Sequence, residues 1–306
     1  MNSDNTIGDQ TERLGLGIAA AVGAILMFTL MNVFAKYLSS NHSVIEIAFY
    51  RNLVACIPFL AAIFLFGRRE IVVIQRKPRL VAARAALGVV TLVLTFGAYS
   101  LMPMAETTVL LFASSLFIPV LGVVILKERV GAYRWTAVLV GFFGVIIMAN
   151  LTGDANSLGV TIALSAALMQ AFMSILLRHL GGHERPETVT FYFFVIGTFL
   201  TGLALPFVAN TPTVAEIPFF FGVGLCGALA QWLYATALKY TPAAIVAVTN
   251  FSSIVWATLF GWLVWNEWPL PVVFVGAAVV IGSNILIVWR ETRLMRLPPG
   301  NVPNVP

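Results

Sequence analysis

Apolar runs long enough to cross a bilayer follow one another along almost the whole chain, separated by short polar joints. With ends uncertain by a few residues, the runs fall near 14–38, 44–66, 80–101, 105–126, 133–150, 158–179, 187–209, 215–238, 243–265 and 270–290. Several joints are tight. In "SLMPMAE" and "KYTPAAI" a proline closes one run and opens the next, because proline removes a backbone donor and cannot continue a helix. The pattern predicts an all-α membrane protein with ten transmembrane helices. Residues 1–13 and 291–306 read as polar tails, and the first run lacks a small-residue cleavage site, so it reads as an uncleaved span.

Composition agrees. Hydrophobic residues make up 59% of the 306 and charged residues only 10%, where a soluble domain carries about a quarter. The net charge of +5 therefore speaks to orientation rather than to nucleic acid. Arg13, "GRREIVVIQRKPR", "KERVGAYR", "RHLGGHER", Lys239 and "RETRLMR" fall in one set of joints; "SSNHSVIE", "PMAE", "NLTGDANS", "NTPTVAEIP" and "NEWPLP" fall in the other. The excess of Lys and Arg predicts a multi-pass protein of a bacterial-type inner membrane with both termini cytoplasmic. Cys56 and Cys226 both lie inside apolar runs, which argues against a structural disulfide.

The chain also repeats itself. At an offset of 142, Leu16, Gly17, Leu26, Met27, Met31 and Leu38 fall on identical residues, Lys36 falls on Arg178, and Phe49-Tyr50 falls on Phe191-Tyr192. At an offset of 139, Gly88, Ala98, Pro103, Ala105, Val109, Phe112, Ser114, Gly122 and Glu128 fall on identical residues. Coincident Pro, Gly, Ser and Glu are hard to obtain from apolar composition alone. The halves, 14–150 and 158–290, each hold five helices. An odd number forces the second copy to enter the membrane upside down, giving two inverted five-helix repeats, an architecture of alternating-access carriers with binding near the midplane. Duplication used only as a scaffold is the alternative.

The segments "AETTVLLFASSLFIPVLGVVILKERVGAYRWTAVLVGFFGVIIM", "AAIVAVTNFSSIVWATLFGWLVWNEWPLPVVFVGAAVVIGSNILI" and "EIAFYRNLVA" resemble the EamA family of the drug/metabolite transporter superfamily. The likeness covers roughly residues 14–290. It implies ten helices, a central cavity open alternately to either side, and secondary transport of small organic molecules such as amino acids and their derivatives, S-adenosylmethionine or riboflavin.

Residues that break the repeat are the candidates for function. Arg51 aligns with Phe193, Glu106 with Ile245 and Arg84 with Val223, so the fold accepts apolar residues at these places. Lys36, Glu46, Arg51 and Glu106 sit at the outer ends of the first, second and fourth helices and form a candidate gate or ion-pair set, with Arg51–Glu106 the favoured pair. The alternative is a structural pair that fixes helix register. Arg84 opens a helix on the cytoplasmic side, where snorkelling to headgroups explains it.

Polar stripes mark candidate substrate-binding faces. They comprise Asn32 with Lys36 on the first helix, Thr91, Thr95 and Tyr99 on the third, and Gln170 with Ser174 on the sixth. Gln231, Trp232 and Tyr234 on the eighth and Asn250, Ser253 and Trp256 on the ninth complete the set, together with Arg51. Polar residues of this kind also serve as glue between membrane helices. Glu128 and Glu267 end equivalent helices and read as structural, each accepting hydrogen bonds from the start of the next helix.

Other chemistry is excluded. "HLGGHE" places two histidines four apart, but two glycines break the helix that metal ligation would need. No nucleophile–base pair, CxxC or Walker motif occurs, so no cofactor, metal, ATP or nucleic acid is expected. A lipid-processing enzyme would need clustered acidic, His or Lys residues at one interface, and a scaffold or sensor would be expected to carry a soluble domain; the chain shows neither. The expected partners are a small-molecule substrate, the bilayer and, as a candidate coupling ion, protons. Import and export are equally compatible with the residues.

Overall fold

The computed structural model describes the backbone of residues 3–127, 131–151, 156–180 and 184–295. Among these the chain is helical throughout: α1 Ser3–Leu38, α2 Val44–Phe64, α3 Pro78–Leu101, α4 Met104–Leu111, α5 Ala113–Leu126, α6 Ala132–Leu151, α7 Ser157–Leu180, α8 Pro186–Val208, α9 Ile217–Tyr240, α10 Ala243–Thr249, α11 Ser252–Trp265 and α12 Pro271–Met295. Eight stretches are long and apolar enough to span a membrane, with α4–α5 and α10–α11 each counting as one. The described parts of α6 and α12 give shorter apolar helices, 135–147 and 271–286.

Local chemistry sets the ends. Ser43 caps α2 by accepting from the Ile45 amide, and α3 and α8 carry proline in their first turn, where its missing N–H costs nothing. The helices outrun the spans at both ends of the chain: α1 begins at Ser3 although its apolar span starts at Leu14, and α12 runs on to Met295. One expectation needs correction. The expected continuous spans 105–126 and 243–265 are each broken into two helices, at Phe112 and at Asn250-Phe251.

Both breaks are tight turns rather than unwound segments. The Phe112 amide donates to the Val109 carbonyl at 3.1 Å and the Ser115 amide to the Phe112 carbonyl at 3.1 Å. At an offset of 139 the same bonds recur, from Phe251 to Val248 and from Ile254 to Phe251, both at 3.2 Å. Other features share that offset. Pro103 and Pro242 cap α4 and α10 at φ −57, ψ 148 and φ −54, ψ 137. Lys127 and Asn266, which follow α5 and α11, are the two non-glycine residues with positive φ among those described, at 53° and 56°.

The chain divides into two compact units, residues 1–73 with 185–259 and residues 74–184 with 260–306. In the first, α1 packs along α9, and α2 packs on both α8 and α9. Close approach depends on missing side chains. Gly17 faces Thr241, Gly23 faces Leu233, Gly227 faces Met31 and Gly222 faces the Phe34 ring, so α1 and α9 run antiparallel. Asn52 and Phe49 of α2 lie against Gly197 and Gly202 of α8, again antiparallel. In the second unit α3 packs on α7, with Gly97 by Ile162 and Met102 by Gly159, and α6 packs on α12, with Gly141 by Ser283 and Gly144 by Val279.

Candidate functional site

Arg51 lies on the buried face of α2 and is 2% exposed. Its Nη1 donates to Asn52 Oδ1 at 2.8 Å, and its guanidinium carbon stands 5.1 Å and 4.9 Å from the ring centres of Phe193 and Phe194 on α8. On the α9 side Gly227 supplies the room: a Cβ there would come within 3.0 Å of Arg51 Nε. The charge is thus held by aromatic faces and a neighbouring amide in one pocket of the first unit. Glu106 is buried in the first turn of α4, in the second unit.

Glu46, expected at the gate, is wholly buried at the start of α2. Its Oε2 accepts from the Asn210 amide at 3.1 Å and lies 3.1 Å from His42 Nδ1. The other ring nitrogen, Nε2, stands 3.2 Å from Glu216 Oε2 at ion-pair distance, without hydrogen-bond alignment. Glu216 also accepts from the Thr213 hydroxyl and amide and from the Asn41 amide nitrogen, and these donors hold its carboxyl down at about 2. Sequence reading missed His42 and Glu216. The i,i+4 spacing of His42 and Glu46 was a visible signal, whereas the contact with Glu216 joins residues far apart in the chain.

The remaining candidates separate by unit. In the first, Tyr234 packs on a cluster of Ala20, Ala21, Ala237 and Val246, with the Asn250 side chain in hydrogen-bonding reach of its hydroxyl. The Ser253 hydroxyl donates back to the Asn250 carbonyl at 2.8 Å, at the helix break. The buried Asn32 Oδ1, Ser252 Oγ and Trp256 Nε1 have no hydrogen-bond partner among the described residues, and Ser252 was not on the sequence list. Gln231 is half-buried. Trp232 is 64% exposed and continues the apolar stripe Phe221, Leu225, Leu229 on α9, a different face from Tyr234. Lys36 is half-buried in the last turn of α1.

In the second unit Tyr99 is buried and its hydroxyl meets Thr108 Oγ1 at 3.0 Å, while Thr108 donates to the Met104 carbonyl. Thr91 is buried and bonds back to the Leu87 carbonyl; Thr95 is half-buried. Ser174 bonds to the Gln170 carbonyl, and the Gln170 side chain is exposed. Glu267 Oε2 accepts from the Met104 amide at 3.1 Å, so it caps α4, a helix of the other half. Glu128, His179 and His183 lie outside the residues whose side chains are described. Among the described residues no cluster of His, Cys, Asp and Glu could hold a metal.

The family model for the EamA-like transporter family matches twice, over residues 15–150 and 157–289. The chain belongs to that family. It is 28% identical to the pseudopaline exporter CntI of Pseudomonas aeruginosa, over 93% of this chain and 97% of that protein. It is 30% identical to a riboflavin transporter of Rhizobium johnstonii, over 91% and 95%. It is 23% identical to an S-adenosylmethionine uptake transporter of Rickettsia bellii, over 94% and 99%. A crystal structure matches with a TM-score of 0.59 at 16% identity, covering 89% of this chain and 98% of its own; at that identity the likeness shows the fold alone. The protein is a multi-pass membrane transporter and not an enzyme.

Proposed function

We propose that the protein is a secondary carrier of a small organic metabolite in a bacterial inner membrane. It works by alternating access between two inverted five-helix repeats, 14–150 and 158–290, with both termini cytoplasmic. The observation that carries this reading is the direction of one helix pair. α2 and α8 begin at Val44 and Pro186, an offset of 142, and pack antiparallel. The copies of one helix therefore run in opposite directions, as an inverted repeat requires. α6 and α12, which begin at an offset of 139, do the same in the other unit. In the first unit α1 pairs with α9, and in the second α7 pairs with α3, which is the same pairing with the copies exchanged.

The broken helices strengthen the reading. Interrupted helices recur at the binding sites of carriers, and here the breaks keep their backbone bonds and offer polar side chains instead. The α10–α11 break brings Asn250, Ser252 and Ser253 to one short stretch with Tyr234 beside it, so substrate contact is proposed there, with Arg51, Thr95 and Gln170 as further candidates. The relatives' names suggest a polar organic substrate of metabolite size, and no ATP site is proposed. The test is uptake and counterflow in proteoliposomes with a labelled panel of amino acids, S-adenosylmethionine, riboflavin and nucleosides. Saturable counterflow of at least one compound is expected. Purely linear leak for classes of such substrates would count against the carrier reading.

A further inference from the structure

His42 stands between two carboxylates that come from different parts of the first unit. Nδ1 faces Glu46 on α2 and Nε2 faces Glu216 at the start of α9, at 3.1 Å and 3.2 Å. The ring is buried and meets the Phe220 edge, with centres 5.0 Å apart. Around it Asn210 binds both the Glu46 carboxylate and the Asn41 carbonyl, and Asn41 binds Glu216. The loop 39–43 and the loop 209–216 are therefore joined through this one imidazole and the amides beside it.

We propose that His42 is a proton-binding site whose occupancy latches these two loops together on the outer face of the carrier. The chemistry follows from the charge and donors of the ring. Imidazolium carries two N–H groups, so Nδ1 can donate to Glu46 while the positive Nε2 side pairs electrostatically with Glu216. Neutral imidazole carries one, so after proton loss one nitrogen lone pair faces a carboxylate oxygen near 3 Å, and that contact becomes repulsive. Glu46 is wholly buried, and a buried carboxylate that loses its cation is costly. Histidine is the side chain whose charge ordinarily changes between about pH 5 and 8. At this end of the packed elements the other charged groups are Lys36 in the last turn of α1 and Arg51 two turns into α2; Asp4, Asp9, Glu12 and Arg13 of α1, Glu187 of α8 and Lys239 of α9 belong to the opposite helix ends, and residues 209–215 contain no titratable side chain. Glu216, held at about 2, stays ionised through this range.

The repeat builds the equivalent joint with different residues. At the offset of 142 His42 falls on Glu184, and at 139 Lys77 falls on Glu216. In the second unit Glu184 accepts from the amides of Gln75, Arg76 and Lys77 at 2.8, 2.7 and 2.7 Å, at the start of α3. The imidazole of the first joint is thus not a requirement of the repeat, since a carboxylate takes its place in the other copy.

The inference rests on the transporter reading for its consequence, but its test needs no substrate. Hydrogen–deuterium exchange is measured on the full chain in nanodiscs at about pH 5.5 and about pH 8, with exchange times scaled for the chemical rate. Peptides covering 39–47 and 209–217 should be roughly tenfold or more better protected at the lower pH. His42→Gln should abolish the difference. Equal protection of the wild-type outer peptides at both values, or an undiminished difference in His42→Gln, overturns the latch. Should His42→Gln fail to fold, Glu216→Gln removes one carboxylate and should shrink the difference; an unchanged difference there overturns it equally. A chain inactive against the substrate panel would still return this answer.

Discussion

The guanidinium of Arg51 lies 5.1 Å from the ring centre of Phe193, the residue that takes its place in the second half (51 + 142 = 193). A position that is arginine in one copy is phenylalanine in the other, and the two meet across antiparallel helices. Each such stack contributes about 0.5–2 kcal/mol, depending on desolvation, and Arg51 makes two of them, with Phe193 and Phe194. The buried charge is thus housed by its own repeat mate.

Arg51→Phe should insert and fold at near-normal levels, because the second repeat already accepts phenylalanine at this position, and should lose most transport. Expression, thermal midpoint and counterflow are the readouts. Normal counterflow in well-folded Arg51→Phe would return Arg51 to a purely structural role.

Most helix ends were legible in the sequence, because membrane spans announce themselves by length and apolarity and their ends by Pro, Ser and charge. The breaks at Phe112 and Asn250 were not. No proline or glycine marks them, and the turns rest on i to i−3 amide bonds that no residue pattern demands. Trp232 was grouped with Tyr234 by polarity, yet two residues on a helix point about 200° apart, so the pair could not share a face. Glu267 was recognised as a cap, but its target, Met104, lies 163 residues away, and such a partner is set by packing.

Glycine substitutions should sort by what the new methyl would meet. At Gly197 a Cβ would stand 2.6 Å from Asn52 Nδ2, and at Gly224 it would collide with Val54 on α2. Ala at either site should lower the thermal midpoint, by overpacking worth about 1–3 kcal/mol. Gly282→Ala meets nothing within 4 Å and should be neutral or stabilising, since alanine favours helix over glycine by about 1 kcal/mol. Equal midpoints for Gly224→Ala and Gly282→Ala would contradict the packing of α2 on α9.

Topology can be read with reporters. Fusions at Arg69 and Gly181 should report the cytoplasm and at Asp154 the periplasm, since five crossings separate the termini of each half. A cytoplasmic reading at Asp154 would leave the halves parallel and defeat the inverted repeat.

Asn266 and Glu267 together make the sharpest test of how one half braces the other's chemistry. Asn266 ends α11 in the left-handed region at φ 56, and the Glu267 amide returns to the Gly261 carbonyl at 3.0 Å. That turn carries the Glu267 carboxylate back to the Met104 amide, the first residue of α4. A carboxylate there satisfies one unpaired helix donor and complements the positive end of the helix, worth about 0.5–2 kcal/mol. Glu267→Ala should therefore lower the thermal midpoint, and Glu267→Gln should lower it less, because the amide oxygen can still accept. The backbone should matter as much as the acid. Asn266→Gly keeps the left-handed turn at no steric cost and should be tolerated, whereas Asn266→Val forces a branched side chain into it and should lose at least as much stability as Glu267→Ala. If Asn266→Val with Glu267→Ala is no less stable than Asn266→Val alone, the turn acts by aiming the carboxylate; fully additive losses would show two unrelated contributions.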